Sequence, residues 1–369
     1  MTFPPRLSRE ARGGLFGDVS FMADRVTPLP HGSTSSSAAP AAPAAPPPKA
    51  RAVSVSGIGD WIYSAVTFAA SLSIFAIILW LLWQLTAASQ ISIHHTGVKF
   101  VTGSDWNEET NSFHALPFIY GTLYSSLIAL VLAVPVSLGA AVFLSELAPR
   151  WIRTPATFLI ELLAAIPSVI YGLWGIFVLI PFLKVAIVGP VGRAHLADKP
   201  IIGPLFQGES AGYSMLAAGS LLAIMVIPFI TAVTRDILRA IPRSQREGSY
   251  ALGATQWETI SQVVIPYAKS GIIGAVVLGL GRALGETMAV TMVIGNQPPN
   301  TANGISLSLL SPGYTMASVL ANKFQDASAG LEASSLIEIA LVLFGVTIVV
   351  NICARLLVYY TAKDVQGRK

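Results

Sequence analysis

The sequence predicts an all-α integral membrane protein with six transmembrane helices. The chain has 369 residues, of which 53% are hydrophobic and only 11% are charged. A soluble globular domain carries roughly 25% charged residues, so this composition favours a membrane protein. Six apolar runs each exceed the roughly 20 residues that cross the hydrocarbon core of a bilayer. They cover residues 61–86, 118–145, 157–183, 214–238, 270–295 and 334–361.

The distribution of basic residues predicts the orientation of these helices. If the N-terminus is cytoplasmic, 17 of the 23 Lys and Arg residues lie on the cytoplasmic side and 5 on the opposite side, with Arg282 inside a helix. An excess of Lys and Arg is typical of cytoplasmic loops, so both termini are predicted to be cytoplasmic. The net charge of +4 therefore reflects membrane topology, and it gives no indication of nucleic-acid binding.

The first 56 residues differ from the rest of the chain. Their serine and Ala/Pro runs cannot bury a core, so residues 1–56 are predicted to be a disordered cytoplasmic tail. The first apolar run is too long for the h-region of a signal peptide, so it is expected to be retained as a helix. The remaining predicted parts are a first helix with an extracytoplasmic loop (57–116), a membrane core (117–361) and a cytoplasmic C-terminal tail (362–369).

A spaced pattern between the fourth and fifth apolar runs indicates a docking element for a soluble partner. Its residues are Glu247, then Gly253 six positions later, and then Val263, Ile265 and Pro266. The spacing resembles the coupling motif of ABC-importer permeases, which begins Glu-Ala-Ala and ends aliphatic-x-aliphatic-Pro. Gly248 and Ser249 stand in place of the two alanines, which weakens the first helix by about 1 kcal/mol.

Two short helices are expected in this element. Residues 247–252 can form the first, which Gly253 ends because glycine adopts positive φ without strain. Residues 255–262 can form the second, and Pro266 suits the first turn of the helix that follows. The apolar positions of the second helix are expected to share one face; they are Trp257, Ile260 and Val264.

Two charged residues in the fifth apolar run are candidates for a substrate path. Arg282 lies about 12 residues into a helix that is expected to begin near Ser270, roughly 18 Å deep and close to the middle of the bilayer. A charge at that depth costs about 2.5–3.5 kcal/mol, so Arg282 is expected to face protein or water. Glu286 follows four residues later on the same helix face, where it can pair with Arg282. The alternative is a pair that only determines helix packing.

The chemistry of the pair suits an anion. A guanidinium group offers a fork of donors for a tetrahedral oxyanion, and Glu286 can accept a hydrogen from a protonated anion. Gly281 and Gly285 are spaced so that a neighbouring helix can approach closely, and Ala275 and Gly279 precede them.

Several other classes of function are not indicated by the sequence. No phosphate-binding loop of the pattern G-x-x-x-x-G-K-[ST] occurs, so an ATPase that drives transport is expected to be a separate chain. No catalytic Ser/His/Asp or Cys/His set stands out, and neither an enzyme nor a bound cofactor or metal is predicted. The adjacent His94 and His95 do not face the same way, and Cys353 is interpreted as a small apolar residue.

Four segments together resemble the PstC-type permease family of bacterial phosphate ABC importers. They are LSELAPRW at residues 144–151, AAIPSVIYGLWG at 164–175, AIMVIPFITAVTRDIL at 223–238 and RALGETMAVTMVIGN at 282–296. The resemblance extends from residue 117 to residue 360, which is nearly the whole predicted membrane part.

The resemblance implies a type I ABC-importer permease fold with a cytoplasmic coupling helix, in the bacterial plasma membrane. It implies that the chain imports inorganic phosphate by alternating access. The implied partners are a second homologous permease subunit, two cytoplasmic ABC ATPase subunits, an extracytoplasmic phosphate-binding protein and membrane lipid. Arg282 and Glu286 match the charged pair of the family's translocation path. Glu146 and Glu161 are weaker candidates, more typical of helix ends.

Two alternatives remain open. The first is a permease for another oxyanion, such as sulfate or molybdate, because the binding protein largely sets selectivity in such systems. The second is a membrane protein that senses phosphate and signals through its tail. A plain channel is disfavoured because the coupling pattern would then have no use.

Thiol labelling of intact cells with a membrane-impermeant reagent tests the orientation. In a Cys353→Ala background, Ile305→Cys is expected to react and Tyr250→Cys to remain unlabelled. The reason is that the bias of basic residues places loop 297–333 outside and loop 239–268 inside. Labelling at residue 250 without labelling at residue 305 would reverse the assignment.

Overall fold

Helices make up almost all of the chain that the structure describes. The structure, a computed structural model, describes residues 57–107, 110–190, 203–206, 212–297 and 307–366. The predicted tail at residues 1–56 lies outside these residues. Helices predominate because a backbone segment in lipid must satisfy its N–H and C=O groups internally.

The helices are numbered α1 to α14 in chain order. They are α1 (Ile58–Ala88), α2 (Gln90–Thr96), α3 (Lys99–Thr102), α4 (Leu116–Val142), α5 (Arg150–Ala165), α6 (Ser168–Trp174), α7 (Ile180–Leu183), α8 (Met215–Ala240), α9 (Arg243–Ala251), α10 (Gln256–Thr259), α11 (Ile265–Gly285), α12 (Met288–Val293), α13 (Met316–Lys323) and α14 (Leu331–Gln366). Wider π-helical turns extend or join them at Phe143–Leu147, Gly175–Leu179, Lys184–Val188 and Ile260–Val264. Two short strands, β1 (Trp106–Asn107) and β2 (Ser112–Phe113), pair antiparallel.

Within the described residues, six continuous helical stretches are long and apolar enough to cross a membrane. They are Gly59–Ala88, Leu116–Leu147, Ser168–Val188, Met215–Ala240, Gln256–Gly285 and Leu331–Tyr360. The predicted fold class, an all-α membrane protein with six membrane-length helices, is therefore confirmed. The third and the fifth stretches differ from their predicted bounds.

The third apolar run, expected as one helix over residues 157–183, forms two helices. α5 ends at Ala165, Ile166 and Pro167 are extended with ψ of 131° and 138°, and α6 begins at Ser168. A proline ring clashes with the helical conformation of the residue before it, so Ile166 leaves the helix. The membrane-length stretch therefore begins at Ser168, and the amphipathic α5 precedes it.

The fifth apolar run, expected as one helix over residues 270–295, begins earlier and is interrupted. Helical backbone continues from Gln256 to Gly285, and Glu286 is then extended with φ −72° and ψ 122°. Gly285 weakens this end of the helix, because glycine costs about 1 kcal/mol relative to alanine within a helix. The Thr287 hydroxyl donates to the carbonyl oxygen of Gly285 (3.3 Å), so a side chain satisfies a group that the helix leaves free.

Small residues allow α4 and α8 to pack closely. The fully buried alanines of this pair are Ala129, Ala133, Ala141, Ala217 and Ala218. A Cβ atom added to Gly219 would lie 2.5 Å from Cγ2 of Ile128, so the two backbones approach through this glycine. Ser137 Oγ donates to the carbonyl oxygen of Ile227 (3.2 Å). Small residues and interhelical hydrogen bonds are what holds helices together in lipid.

α11 has glycines on two different faces. A Cβ atom added to Gly279 would lie 2.7 Å from Ile230 and 2.9 Å from Val226 of α8, whereas Gly281 and Gly285 have open space at this position. Residues 279 and 281 lie about 200° apart around the helix axis. One glycine face therefore packs within the chain, and the other is open.

An aromatic cluster lies beside the strand pair. Trp106 packs edge-on against Phe113 and Phe118, with ring centroids 4.9 and 5.1 Å apart, and Phe118 packs similarly against Tyr314 at 5.8 Å. Edge-to-face pairs of this kind stabilise beyond the area that they bury. The cluster joins the strand pair and the start of α4 to the segment before α13.

Gly279→Val is expected to destabilise the chain by about 1–3 kcal/mol, because the added methyl groups would press on Ile230 and Val226. Gly281→Val is the matched control, since the same side chain meets open space there and changes stability by at most about 0.5 kcal/mol. Thermal unfolding of the purified variants in detergent measures the difference. Equal midpoints for the two variants would contradict this packing.

Candidate functional site

The predicted docking element contains a helix that ends in a glycine turn. α9 runs to Ala251, and Gly253 has φ +85°, a conformation that favours glycine. The Gly253 N–H donates to the carbonyl oxygen of Tyr250 (3.0 Å), and the Ala254 N–H donates to that of Ser249 (3.2 Å). These bonds satisfy carbonyl groups that a helix end leaves free. The predicted turn at Gly253 is therefore confirmed, although α9 begins at Arg243 rather than at residue 247.

A capping box starts the second helix of the element. Thr255 Oγ1 accepts a hydrogen bond from the Glu258 N–H (3.3 Å), and Glu258 Oε2 accepts one from the Thr255 N–H (2.8 Å). This reciprocal arrangement satisfies two free donors at a helix start. The helix does not end at residue 262 as expected, because the π-helical turn Ile260–Val264 carries it directly into α11. Pro266 lies in the first turn of α11, as predicted.

Large apolar side chains of this element are exposed. Tyr250, Leu252 and Trp257 all reach solvent, with Leu252 91% and Trp257 65% exposed. The prediction that Trp257 shares a face with Ile260 and Val264 is wrong, because those two are almost fully buried in a cluster with the ends of α4 and α8. Exposed apolar groups in one place are typical of surfaces that bind a partner.

The five predicted coupling residues differ in exposure. Glu247, Gly253 and Pro266 are exposed, and Val263 and Ile265 are half-buried. The three exposed residues are therefore accessible to a partner. The two aliphatic residues are only partly accessible, because each is half-buried by the rest of the chain.

Arg282 lies in α11, three residues before the helix ends. The prediction that it lies about 12 residues into its helix is wrong, because the helical stretch begins at Gln256 and not near Ser270. Its side chain is half-buried, and its Nε atom is buried without a hydrogen-bond partner. The guanidinium lies within electrostatic reach of the Tyr171 hydroxyl, which itself donates to the carbonyl oxygen of Leu163 (2.8 Å). The expected pairing with Glu286 is absent: among the described residues, the ion pairs include neither Arg282 nor Glu286.

The chemistry available at Arg282 is that of an anion site. A guanidinium group has five N–H donors in a planar fork, and here at least one of them is unused. Among the residues that the structure describes, no group of three or more His, Cys, Asp and Glu side chains could hold a metal ion.

Glu146 and Glu161, the weaker candidates, form ion pairs near helix ends. Two oxygens of Glu146 accept from Arg246, with Nη2–Oε1 at 2.7 Å and Nε–Oε2 at 3.2 Å. Glu161 Oε1 accepts from Nη2 of Arg235 at 3.3 Å, and Asp236 accepts from the same arginine. Glu146 thus links the end of the second membrane-length stretch to α9, and Glu161 links α5 to α8.

The sequence alone does not single out Arg235 and Arg246. The Arg246–Glu146 pair spans 100 positions, and no local spacing rule connects residues so far apart. The available signal is weaker: each acidic residue lies at or near the end of an apolar run, and each arginine lies on the same predicted side of the membrane.

These features describe a membrane protein with six membrane-length helices in the described residues, and comparison with protein families gives its class. The model of the family described as "Binding-protein-dependent transport system inner membrane component" matches residues 133–367. The chain therefore belongs to this family of inner membrane transport components.

Similar proteins narrow the class further. A phosphate transport system permease protein PstC from Pasteurella multocida is 45% identical over 296 residues, covering 80% of this chain and 90% of the relative. A PstC from Xylella fastidiosa (strain Temecula1) is 48% identical over 277 residues, covering 75% and 82%. A solved structure of the MetNI methionine ABC transporter in an inward-facing conformation is also similar. It has a TM-score of 0.48 and 19% identity, over 66% of this chain and 94% of that chain.

Proposed function

We propose that this chain is a permease subunit of an ATP-driven importer that moves inorganic phosphate into the cytoplasm. The observation that carries the proposal is the 45–48% identity to phosphate transport permeases over three quarters or more of the chain. The unpaired Arg282 in a membrane-length helix supports it, because phosphate is an anion. An inner-membrane position agrees with the family description, and the bias of basic residues supports a cytoplasmic position of both termini.

Arg282 and Glu286 are proposed to line the phosphate path. An anion that crosses about 30 Å of hydrocarbon needs a compensating charge along its route, and Arg282 is a cation within a spanning helix. Glu286 lies in extended backbone four residues away. Non-helical backbone at membrane depth is tolerated where it is covered by protein or lines a water-filled cavity. Glu286 can there accept a hydrogen from phosphate, whereas sulfate carries no such hydrogen near neutral pH and would meet repulsion.

Other subunits complete the proposed importer. The open face of α11 at Gly281 and Gly285 suits close approach of a helix from a second homologous permease. The absence of a phosphate-binding loop from the sequence supports an ATPase on a separate chain, and the resemblance to ABC-importer permeases supports two such cytoplasmic subunits. The family description supports an extracytoplasmic binding protein, which would deliver phosphate to the outer side.

The docking element is proposed to couple ATP hydrolysis to transport. Its exposed Tyr250, Leu252 and Trp257 suit a groove on the ATPase, with Glu247 and Gly253 beside them. Val263, Ile265 and Pro266 lie where this element passes into α11. Closure of the ATPase subunits would thus move the end of the helix that carries Arg282.

Gly253→Val is expected to uncouple ATP hydrolysis from phosphate uptake while the protein remains in the membrane. The substitution strains a backbone with φ +85° although a Cβ atom would meet open space, so the turn and not the surrounding packing changes. Gly330→Val is the matched control, since Gly330 has φ +116° and equally open surroundings but lies in the predicted outer loop. Uptake and hydrolysis are measured in proteoliposomes that contain the whole complex. Wild-type uptake by the Gly253→Val complex would refute this role.

Arg282→Gln is expected to abolish phosphate uptake while the complex still assembles and docks its binding protein. Arg282→Lys should restore uptake only partly, because an ammonium group lacks the planar fork of donors. Glu286→Gln should relax discrimination against sulfate. Uptake of radiolabelled phosphate and sulfate by proteoliposomes measures all three variants. Wild-type phosphate uptake by the Arg282→Gln complex would leave Arg282 as a packing residue.

A further inference from the structure

Arg246 uses one side chain to hold three parts of the chain together. From α9, its Nη2 and Nε donate to the two carboxylate oxygens of Glu146 at 2.7 and 3.2 Å. Its Nη1 donates to the carbonyl oxygen of Ile241 (2.8 Å), and Nη2 also donates to that of Leu238 (2.8 Å). Glu146 belongs to the π-helical turn that ends the second spanning stretch, and Leu238 belongs to the last turns of the fourth.

The position of these acceptors makes the contacts strong. The carbonyl groups at the end of a helix are unpaired and carry partial negative charge, which a cation stabilises. A bidentate bond between a guanidinium and a carboxylate is both stronger and more directional than a single hydrogen bond. Only 17% of the Arg246 side chain and 12% of the Glu146 side chain are exposed, so water weakens the pair little compared with a surface ion pair.

Further contacts connect the rest of the docking element to the same place. Gln256 Nε2 donates to the backbone carbonyl oxygen of Glu146 (3.2 Å), which links α10 to the same turn. The hydroxyls of Ser249 and Thr259 hydrogen-bond at 3.0 Å, which links α9 to α10. Buried Ile260 and Val264 pack in one cluster with residues at the ends of α4 and α8, namely Ala141, Val142, Leu238 and Ile241.

Two neighbouring residues of α9, Arg246 and Glu247, point in different directions. Successive residues lie about 100° apart around a helix, and the exposed Glu247 follows directly after the mostly buried Arg246. The same helical turn can therefore contact a partner on one side and the spanning helices on the other.

We infer that Arg246 is the residue that transmits movement of the docking element to the second and fourth spanning helices. Glu146 is the residue of the second spanning helix on which Arg246 acts. Arg246 is a positioning residue, since it touches neither phosphate nor ATP. The inference rests on the proposed function. An external force on α9 passes through the guanidinium to α4 and α8, which pack against each other through small residues and so move together.

The test compares two variants that remove a charge, one at each end of the pair, with one that keeps the positive charge but loses the planar fork of donors. Glu146→Gln, Arg246→Gln and Arg246→Lys are each made in the full complex, and the phosphate imported per ATP hydrolysed is measured in proteoliposomes. All three should lower this ratio by about fivefold or more, the scale on which two coupled sites affect one another. Arg150→Gln is the matched control: Arg150 is exposed at the start of α5, outside the docking element, and its loss should leave the ratio unchanged.

The double variant Glu146→Gln/Arg246→Gln separates a direct pair from two independent effects. It should lose no more coupling than Arg246→Gln alone, because effects of residues that act through one contact are not additive. Additive losses, or a wild-type ratio in the Arg246→Gln complex, would overturn the inference.

The outcomes also distinguish this inference from the proposed function. A wild-type complex that hydrolyses ATP without importing phosphate would refute the function itself. A second set of results would refute only the role of Arg246. In that set the wild-type complex imports phosphate, the Gly253→Val complex hydrolyses ATP without importing phosphate, and the Arg246→Gln complex imports the wild-type amount of phosphate per ATP. Glu146→Gln leaves the bonds from Arg246 to Leu238 and Ile241 in place, so it tests transmission if Arg246→Gln does not assemble. Failure of both variants to assemble would make the pair a folding element and would also overturn the inference.

Discussion

The requirement that every backbone polar group in lipid be satisfied locally governs this structure. It makes the spanning segments helical, and it restricts where a helix may break. The breaks follow this rule, because side chains supply the missing bonds. The Thr287 hydroxyl donates to the carbonyl oxygen of Gly285 (3.3 Å), and the Tyr171 hydroxyl donates to that of Leu163 (2.8 Å), three residues before Ile166 leaves its helix. A helix break of this kind persists only where nearby side chains supply the missing hydrogen bonds. The break after Gly285 places the extended residue Glu286 directly after the helix that carries Arg282.

The glycines of α11 lie on two faces. One face packs against another helix of the same chain, and the other has no neighbour within the described residues. The Gly279 face fits so closely against Ile230 and Val226 that α11 and α8 form a single packed unit. The Gly281 and Gly285 face is open within this chain. Helices in lipid gain little from hiding apolar surface and associate mainly through close contact of small residues. The same helix can therefore be rigidly attached to its own subunit and still offer a contact surface to another one.

The sequence predicts the parts of the fold that local composition determines. Six apolar runs give six spanning stretches because length and hydropathy alone satisfy the bilayer, and the positive φ of Gly253 follows from its place in the spaced pattern. The breaks at Ile166 and Glu286 were missed because both runs remain apolar through the break, while the backbone responds to Pro167 and Gly285. The pairing of Arg246 with Glu146 could not be predicted at all, since it depends on how α4 and α8 bring distant helix ends together. Trp257 was wrongly predicted to share the face of Ile260 and Val264. Helical spacing shows which residues align along a helix, but it does not show which of them are buried by other parts of the chain.

The contrast between the arginines supports the proposed placement of the anion path. Arg246 and Arg235 bind carboxylates of other chain segments, and Arg153 donates to the carbonyl oxygens of Ser145 and Ala148. Each of these arginines therefore stabilises a junction between chain segments. Within the described residues, Arg282 makes no such bond, although a charge inside the bilayer is the most costly to leave without a partner. A cation in a membrane-length helix whose donors remain available has the properties that a passing anion requires. The helix that holds Arg282 continues without a break from α10 of the docking element.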